Sequence, residues 1–401
     1  MKKMTKLEKL LAEYCPDGVE YRKLGDIIIF LNGRAYKQTE LLSFGKYKVV
    51  RVGNFFTNDK WYYSDLELEE NKYCNNGDLL YCWAASLGPQ IWTGDKTIFH
   101  YHIWKLEFDE TVISKKYLYH FLKKDVDDIY NSLTQSTMPH VSMASMKERT
   151  IPVPPLEVQA EIVRILDNFT ELTAELTAEL TARKKQYEYY REQILSEIKN
   201  AKMCELQEIV AEDCSISYGI VQTGDDVEDG VPVVRPVDLT SKIVSLNGLK
   251  KVSSSISDSY KRTVLKGGDL LVCVRGTTGV ISIAAEELNG CNVSRGIVPL
   301  TFKDDICKDY VYYQLIGNAI QETIQAKTKG TALKQINMED LRHILIPIPP
   351  IEEQARIVSI LDRFDKLCND ISEGLPAEIE ARRKQYEYYR DKLLSFKEKR
   401  T

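Results

Sequence analysis

The chain has 401 residues, 43% hydrophobic and 28% charged, with a formal net charge of −5. These values exclude a disordered or fibrous chain, and the length exceeds what one hydrophobic core usually supports, so two or three globular domains are expected. The acidic balance does not announce nucleic-acid binding; any phosphate-facing Lys and Arg must cluster on one face, or a partner must supply them.

The opening MKKMTKLEKLL has no apolar h-region or small-residue cleavage site. No signal peptide is read there, and the cytoplasm is the expected compartment. Residues 1–16 are predicted to be a helical module, with the helix at 2–14 packing near the C-terminal helix. The first globular segment, 17–150, carries strand-like runs at 47–52, 78–83 and 97–101 and a helical piece at 115–130. The longest apolar runs, at 27–31 and 344–348, read as buried strands and are far short of the roughly 18–20 residues of a membrane helix. His100 and His102 alternate on what reads as a strand, without the third ligand a metal would need.

The segment 151–199 follows, opened by a Pro-Pro pair suited to a helix start. Val158, Ile162, Ile165, Phe169, Leu172, Leu176, Leu180, Tyr187, Tyr190 and Ile194 recur mostly at three- and four-residue steps. That spacing predicts one amphipathic helix of about forty residues, roughly 60 Å long. Within it, ELTAELTAELTA (171–182) repeats a four-residue unit. The second globular segment, 200–345, has strand-like runs at 231–237, 269–276 and 296–302 and a helical piece at 308–324. The last segment, 346–401, repeats the stripe, with a break or restart expected at Gly374, Leu375 and Pro376. Two such stripes bury most simply against each other as an antiparallel coiled coil. The alternative packs each helix on its own globular domain, which explains the length poorly. The expected fold is therefore α/β (mixed α+β): two globular domains separated by two long antiparallel helices, with a pseudo-twofold repeat.

That repeat is explicit. IPVPPLEVQAEIVRILDNF (151–169) returns as IPIPPIEEQARIVSILDRF (346–364), and ARKKQYEYYR (182–191) as ARRKQYEYYR (381–390). GDLLYC (77–82) matches GDLLVC (268–273), after which Gly88 falls on Gly279 at the same offset. These two glycines are expected to serve the backbone, through a tight turn or close approach. The helices nearly repeat while the globular parts diverge, which suggests two similar scaffolds with different targets. Nine scattered cysteines (15, 74, 82, 204, 214, 273, 291, 307 and 368) without a CxxC pair read as reduced thiols. No phosphate loop, GxGxxG, GxSxG or HExxH is present, nor the (Asn/Asp)-Pro-Pro-(Tyr/Phe) tetrapeptide of adenine methyltransferases.

Taken together, the paired IP(V/I)PP segments, the paired KQYEYYR segments, the GDLL motifs and LEKLLAEYCPDGVEYRKLGD (7–26) resemble the DNA specificity subunit of type I restriction-modification systems. The resemblance covers nearly the whole chain. It implies two target-recognition domains, 17–150 and 200–345, each reading one half of a split site in double-stranded DNA. The helices, 151–199 and 346–401, would set the spacing of the halves and dock two methyltransferase subunits, with restriction motor-nuclease subunits joining them. S-adenosylmethionine, ATP and Mg would then belong to the partners, and no cofactor or metal to this chain. The competing hypotheses are a stand-alone DNA-binding or coiled-coil scaffold, and an enzyme in its own right; the missing motifs disfavour the latter.

Base reading needs donors and acceptors at groove edges, while Lys and Arg on phosphates position the protein. The candidates beside the echoed motifs are Arg34, Tyr36, Lys37, Arg51, Asn54, Ser86, Gln90, Trp92, Lys96, Ser136 and His140 in the first domain. In the second they are Gln222, Arg235, Arg275, Thr277, Thr278, Arg295, Lys329, Thr331, Lys334 and Gln335. Tyr187, Tyr189, Tyr190 and their copies Tyr386, Tyr388, Tyr389 cannot all face one seam, so a partner-protein surface is expected there.

Overall fold

The computed structural model describes residues 4–132, 139–330, 334–369 and 374–399. They fall into two compact units, one of residues 1–177 and 378–401, the other of 178–377. Both are mixed α/β. Among the described residues no helix is long and apolar enough to cross a membrane.

The first unit holds an antiparallel sheet in the order Ile28–Asn32, Ile103–Phe108, Leu79–Cys82, Gly88–Ile91. A second sheet runs Tyr62–Ser64, Tyr47–Val50, Thr97–Phe99, Tyr73–Cys74, and its middle pair is parallel, with Val50 opposite Phe99. The second unit keeps the antiparallel core of the first of these sheets as Ile281–Ala284, Leu270–Cys273 and Ile297–Leu300, but its fourth strand, Ile243–Val244, joins the opposite edge, parallel to Ile281–Ala284. Its other sheet is Lys250–Val252, Val231–Val234 and Asn292–Val293, the last two again parallel. Leu79–Cys82 and Leu270–Cys273 are buried along their whole length. Both therefore read as continuous apolar runs instead of alternating ones.

Each globular part is closed at its base by a two-stranded antiparallel ladder. Tyr21–Lys23 pairs with Thr150–Pro152, and Lys202–Glu205 with Leu345–Ile348. The Pro-Pro pair then starts the long helix: Val158 and Gln159 donate their N–H groups to the Pro155 carbonyl, as Glu353 and Gln354 do to that of Pro350. The repeated glutamine locks this corner. Gln159 Oε1 accepts from Ser114 N at 2.8 Å while Nε2 donates to the carbonyls of Val112 and Pro154. Gln354 does the same with Cys307 N and the carbonyls of Asp305 and Pro349. Tyr117 and Tyr310 donate their hydroxyls to the carbonyls of Pro152 and Pro347.

The long helix is Leu156–Ser196, 41 residues as the stripe predicts. Both packing schemes for it hold in part. Val158, Ile162 and Leu166 are buried in the first unit's core, while Phe169 stacks on Tyr389 at 5.3 Å. In the second unit Tyr190 stacks on Phe364 at 6.1 Å, the same pair transposed by the repeat. Ile351–Asn369 is helical, and a helix starts at Leu375 and runs to Leu393 with Pro376 in its first turn, the restart that the Gly-Leu-Pro sequence predicts. The N-terminal helix begins at Lys6, behind a capping box of Thr5 and Glu8. Its Leu7 is buried in the cluster that contains Leu394.

Several expectations are corrected. The run at 27–31 becomes the strand Ile28–Asn32, but at a sheet edge, leaving Ile29 62% exposed. Leu345 of the other supposedly buried strand is likewise 52% exposed, because its ladder has only two strands. The helix predicted over 308–324 is two, Lys308–Ile316 and Asn318–Lys327, broken where Gly317 turns extended. His100 and His102 lie beyond a strand that ends at Phe99.

Candidate nucleic-acid interface

In the first unit the ends of the parallel pair Tyr47–Val50 and Thr97–Phe99 define one edge. Past it the chain is pinned by backbone bonds: His100 N–H donates to Val50 O, Arg34 N–H to Phe99 O, and Tyr101 N–H to Arg34 O. Gly33 permits this approach, since a Cβ there would lie 2.4 Å from His100 O. The loop after Leu79–Cys82 joins the same edge. Trp83 N–H donates to His102 O, Ala85 N–H to Pro139 O, and Val141 N–H to Trp83 O. Arg34, Arg51, residues 100–102, Trp83 and His140 are thereby collected along one rim.

The second unit builds the same rim with Arg235 in the place of Arg51 but mostly different residues elsewhere. Ser294 N–H donates to Val234 O, Ile220 N–H to Val293 O, Arg295 N–H to Ile220 O, and Val274 N–H to Gly296 O. Gly219 plays the part of Gly33, with a notional Cβ 1.9 Å from Val293 O. Gly276 N–H and Thr278 Oγ1 both donate to Lys334 O, Ile336 N–H donates to Val274 O, and Lys329 and Gln335 exchange backbone bonds. Gln222, Arg235, Arg275, Thr277, Arg295, Lys329, Lys334 and Gln335 are therefore brought to this rim or the loops beside it. Gly88 and Gly279 take φ of +135° and +94°, consistent with the backbone role expected of them.

Lys37, Arg51, His140, Gln222, Thr277, Arg295, Lys329, Lys334 and Gln335 are exposed. Arg34 and Arg235 are half-buried and each held by a carboxylate, Arg34 by both oxygens of Glu40 and Arg235 by Asp238 at 3.0 and 3.1 Å. Those carboxylates raise the pKa of both guanidinium groups. The Arg51 guanidinium lies over the Tyr62 ring and that of Arg295 over Tyr218. Tyr36, Ser86 and Arg275 are half-buried.

Other candidates lie away from the rim or are buried in its support. Trp92 is 7% exposed and its indole N–H donates to Asp95 O. Thr278 is 8% exposed, its hydroxyl given to Lys334 O. Asn54 caps a turn, accepting from Arg51 N and donating to Lys60 O. Gln90, Trp92 and Lys96, with Asn54, line a cavity of about 510 Å³. Gln90 lies within a hairpin, opposite Leu80, and Trp92 just past its end, whereas the other end, Cys82 opposite Gly88, leads to the rim. Lys96 pairs there with Glu70 at 2.8 Å. Tyr187 and Tyr386 are 5% and 6% exposed and belong to the two cores, so they cannot present a partner surface. Tyr189 and Tyr388, at 65% and 62%, do face solvent, each edge-on to its neighbour Tyr190 or Tyr389. Ser136 and Thr331 lie outside the described residues.

Sequence reasoning missed Trp83 and Tyr101 and set aside His100 and His102. The FHYH run at the close of a strand was the available signal. Burial, then the neighbouring imidazole and Arg51, hold the His100 pKa down to about 4; burial and Arg51 also lower that of His102.

The family model described as type I restriction modification DNA specificity domain matches the chain twice, over residues 16–183 and 204–381. The chain belongs to this family. It is 25% identical over 375 residues to the type I restriction enzyme EcoBI specificity subunit of Escherichia coli, covering 85% of this chain and 78% of that one. It is 36% identical over 278 residues to the EcoR124I/EcoR124II specificity subunit of Escherichia coli, covering 64% and 65%. A putative specificity subunit from Haemophilus influenzae is 33% identical over 71% of this chain and 73% of its own. Among solved structures, a chain from a study of type I R-M system assembly and conformational transition aligns with TM-score 0.63 at 17% identity, over 95% of this chain and 98% of that one. The S subunit from M. genitalium aligns with TM-score 0.51 at 15% identity, over 94% and 96%. Membership in a specificity-subunit family favours that role over a stand-alone scaffold.

Proposed function

We propose that this chain is the non-catalytic sequence-reading subunit of a type I restriction-modification complex, each unit recognising one half of a bipartite site in double-stranded DNA. The observation that carries this reading is one backbone-pinned rim built twice with mostly different side chains. A shared scaffold with divergent donors and acceptors suits two half-sites of different sequence. Arg34, Arg51, His140, Arg235, Arg275, Arg295, Lys334 and Gln335 are the side chains on these rims best suited to contact DNA. Lys37, Gln222 and Lys329 flank them as phosphate or edge contacts.

The exposed, equivalently arranged pairs Tyr189–Tyr190 and Tyr388–Tyr389 fit two copies of one partner, the methyltransferase subunit. Restriction motor-nuclease subunits complete the complex in the cytoplasm. S-adenosylmethionine, ATP and Mg act on those partners and not on this chain. Incubation of the purified chain with DNA and labelled S-adenosylmethionine tests the division of labour. No methyl transfer is expected from the chain alone, and sequence-dependent methylation once the partner copurifies with it. Transfer by the chain alone would overturn the reading.

A further inference from the structure

The two rims share a backbone, and an arginine at the equivalent positions 51 and 235, but differ in the segment that follows Phe99 and Val293. Their strand pairings align Phe99 with Val293, and hence His100, Tyr101 and His102 with Ser294, Arg295 and Gly296. Trp83 correspondingly stands where the second unit has Val274. In the first unit the three consecutive rings pack on one another: centroids are 4.4 Å apart for His100–Tyr101, 4.0 Å for Tyr101–His102 and 5.0 Å for His100–His102. His102 meets Trp83 edge-on at 5.0 Å, Trp83 stacks on Trp104 at 5.8 Å, and Trp104 on Tyr81 at 6.0 Å. A column of aromatic rings thus runs from the buried sheet to the rim. The Trp83 indole N–H donates to Tyr101 O, fixing the turn from beneath. Tyr101 remains 39% exposed at the top of the column.

Resting on the half-site reading above, we infer that His100, Tyr101 and His102 form a rigid base-reading surface of imidazole and phenol groups for the first half-site, in the place Arg295 holds in the second. A neutral imidazole offers one donor and one acceptor, and a phenol hydroxyl can act as either. His100 Nδ1 already accepts the His102 N–H at 3.5 Å, so His100 has its other ring nitrogen for a base edge, while Tyr101 and His102 keep their full sets. The lowered imidazole pKa values keep both histidines neutral near pH 7. The charged groups beside them are Arg51 and Arg34, and Arg34 is already paired with Glu40. Neutral contacts release no counterions, whereas a guanidinium against phosphate or base contributes to the salt dependence of binding. At this position of the rim the two half-sites are therefore read by physically different means.

The test uses the full chain assembled with its methyltransferase partner. Methylated-base mapping of the wild-type complex first gives both half-sites. Competition binding then uses DNAs with one half randomised, between 50 and 200 mM salt. Tyr101→Phe and His102→Gln are expected to lower discrimination in the first half about five- to a hundred-fold, the range of a single base contact. The second half and the salt slope should stay unchanged, and a wild-type tryptophan-fluorescence unfolding transition, all four tryptophans lying in the first unit, certifies that the variants fold. Arg295→Gln should relax the second half and reduce the slope by about one. Native first-half preference in both ring variants would overturn the inference, as would a salt slope that His102→Gln shifts as much as Arg295→Gln does. A wild-type complex that methylates without a bipartite preference would instead sink the half-site reading itself.

Discussion

Replacing Gln159 by alanine would leave the Ser114 N–H and the carbonyls of Val112 and Pro154 without this partner, at a side chain fully shut from water. Buried groups deprived of hydrogen bonds are costly, and a loss of about 2–4 kcal/mol is expected. All four tryptophans (61, 83, 92 and 104) lie in the first unit, so tryptophan fluorescence reports on that unit alone. In urea, Gln159→Ala should shift the fluorescence transition, while Gln354→Ala should shift only the part of the far-ultraviolet signal that belongs to the second unit. Equal fluorescence shifts from both would contradict the assignment. Glu161, 3% exposed, has its pKa pulled down to about 2, chiefly by Arg164 and then by Lys6. Its folded value lies below the ordinary 4.5, so its contribution is present above that pH and fades as pH falls toward about 2. Glu161→Gln should flatten the fluorescence-detected midpoint between pH 2 and 4.5, modestly, because Arg164 and Lys6 are largely exposed. The glutamine repeat was visible in the sequence, but its role was not, because its partners come from loops that share no motif. The rim arginines were legible beside strand-like runs. Residues 100–102 were not, since the end of their strand is set by pairing with the distant Val50.

At the scale of elements, the long helices were the most legible part, because a stripe at helical spacing over forty residues fits little besides a helix. The helix break at Gly317 was harder to foresee, since apolar and polar residues continue through it without a change of pattern. The central helix also shows where it tolerates change. Its buried residues fall near its two ends, Val158 to Leu166 and Tyr187, whereas Leu172, Leu176 and Leu180 in the ELTA segment are only half-buried. Inserting one further ELTA unit after Ala182 adds about one turn, roughly 6 Å, outside either core. The preferred spacer between half-sites is expected to grow by one or two base pairs, at about 3.4 Å each. Mapping methylated sites for the insertion variant measures this directly, and an unchanged spacer would mean that the helix is not the ruler.

For the whole molecule, the two-stranded ladders mark natural points of exchange. Leu24 N–H meets Arg149 O just above the first ladder, and Leu206 N–H meets Ile344 O just above the second. A globular part therefore enters and leaves its base through two adjacent strands held by main-chain bonds, whatever side chains it carries. Replacing residues 206–344 with the corresponding part of another family member should change one half-site and preserve the other. Methylation maps altered in both halves would refute the division into two independent readers. The fold class was legible at this scale because the repeat predicted two globular parts and two helices. The sheet order was not, since the parallel pairs join strands far apart in sequence.

The rims carry one further consequence. Their main-chain groups are bonded to neighbouring strand ends, so much of the local fold at these positions does not depend on side-chain identity. Point substitutions at Arg51, Tyr101, Arg295 or Lys334 should cost little in folding while altering what is bound. A lineage carrying such a chain can drift from one target sequence to another by single steps, without passing through an unfolded intermediate.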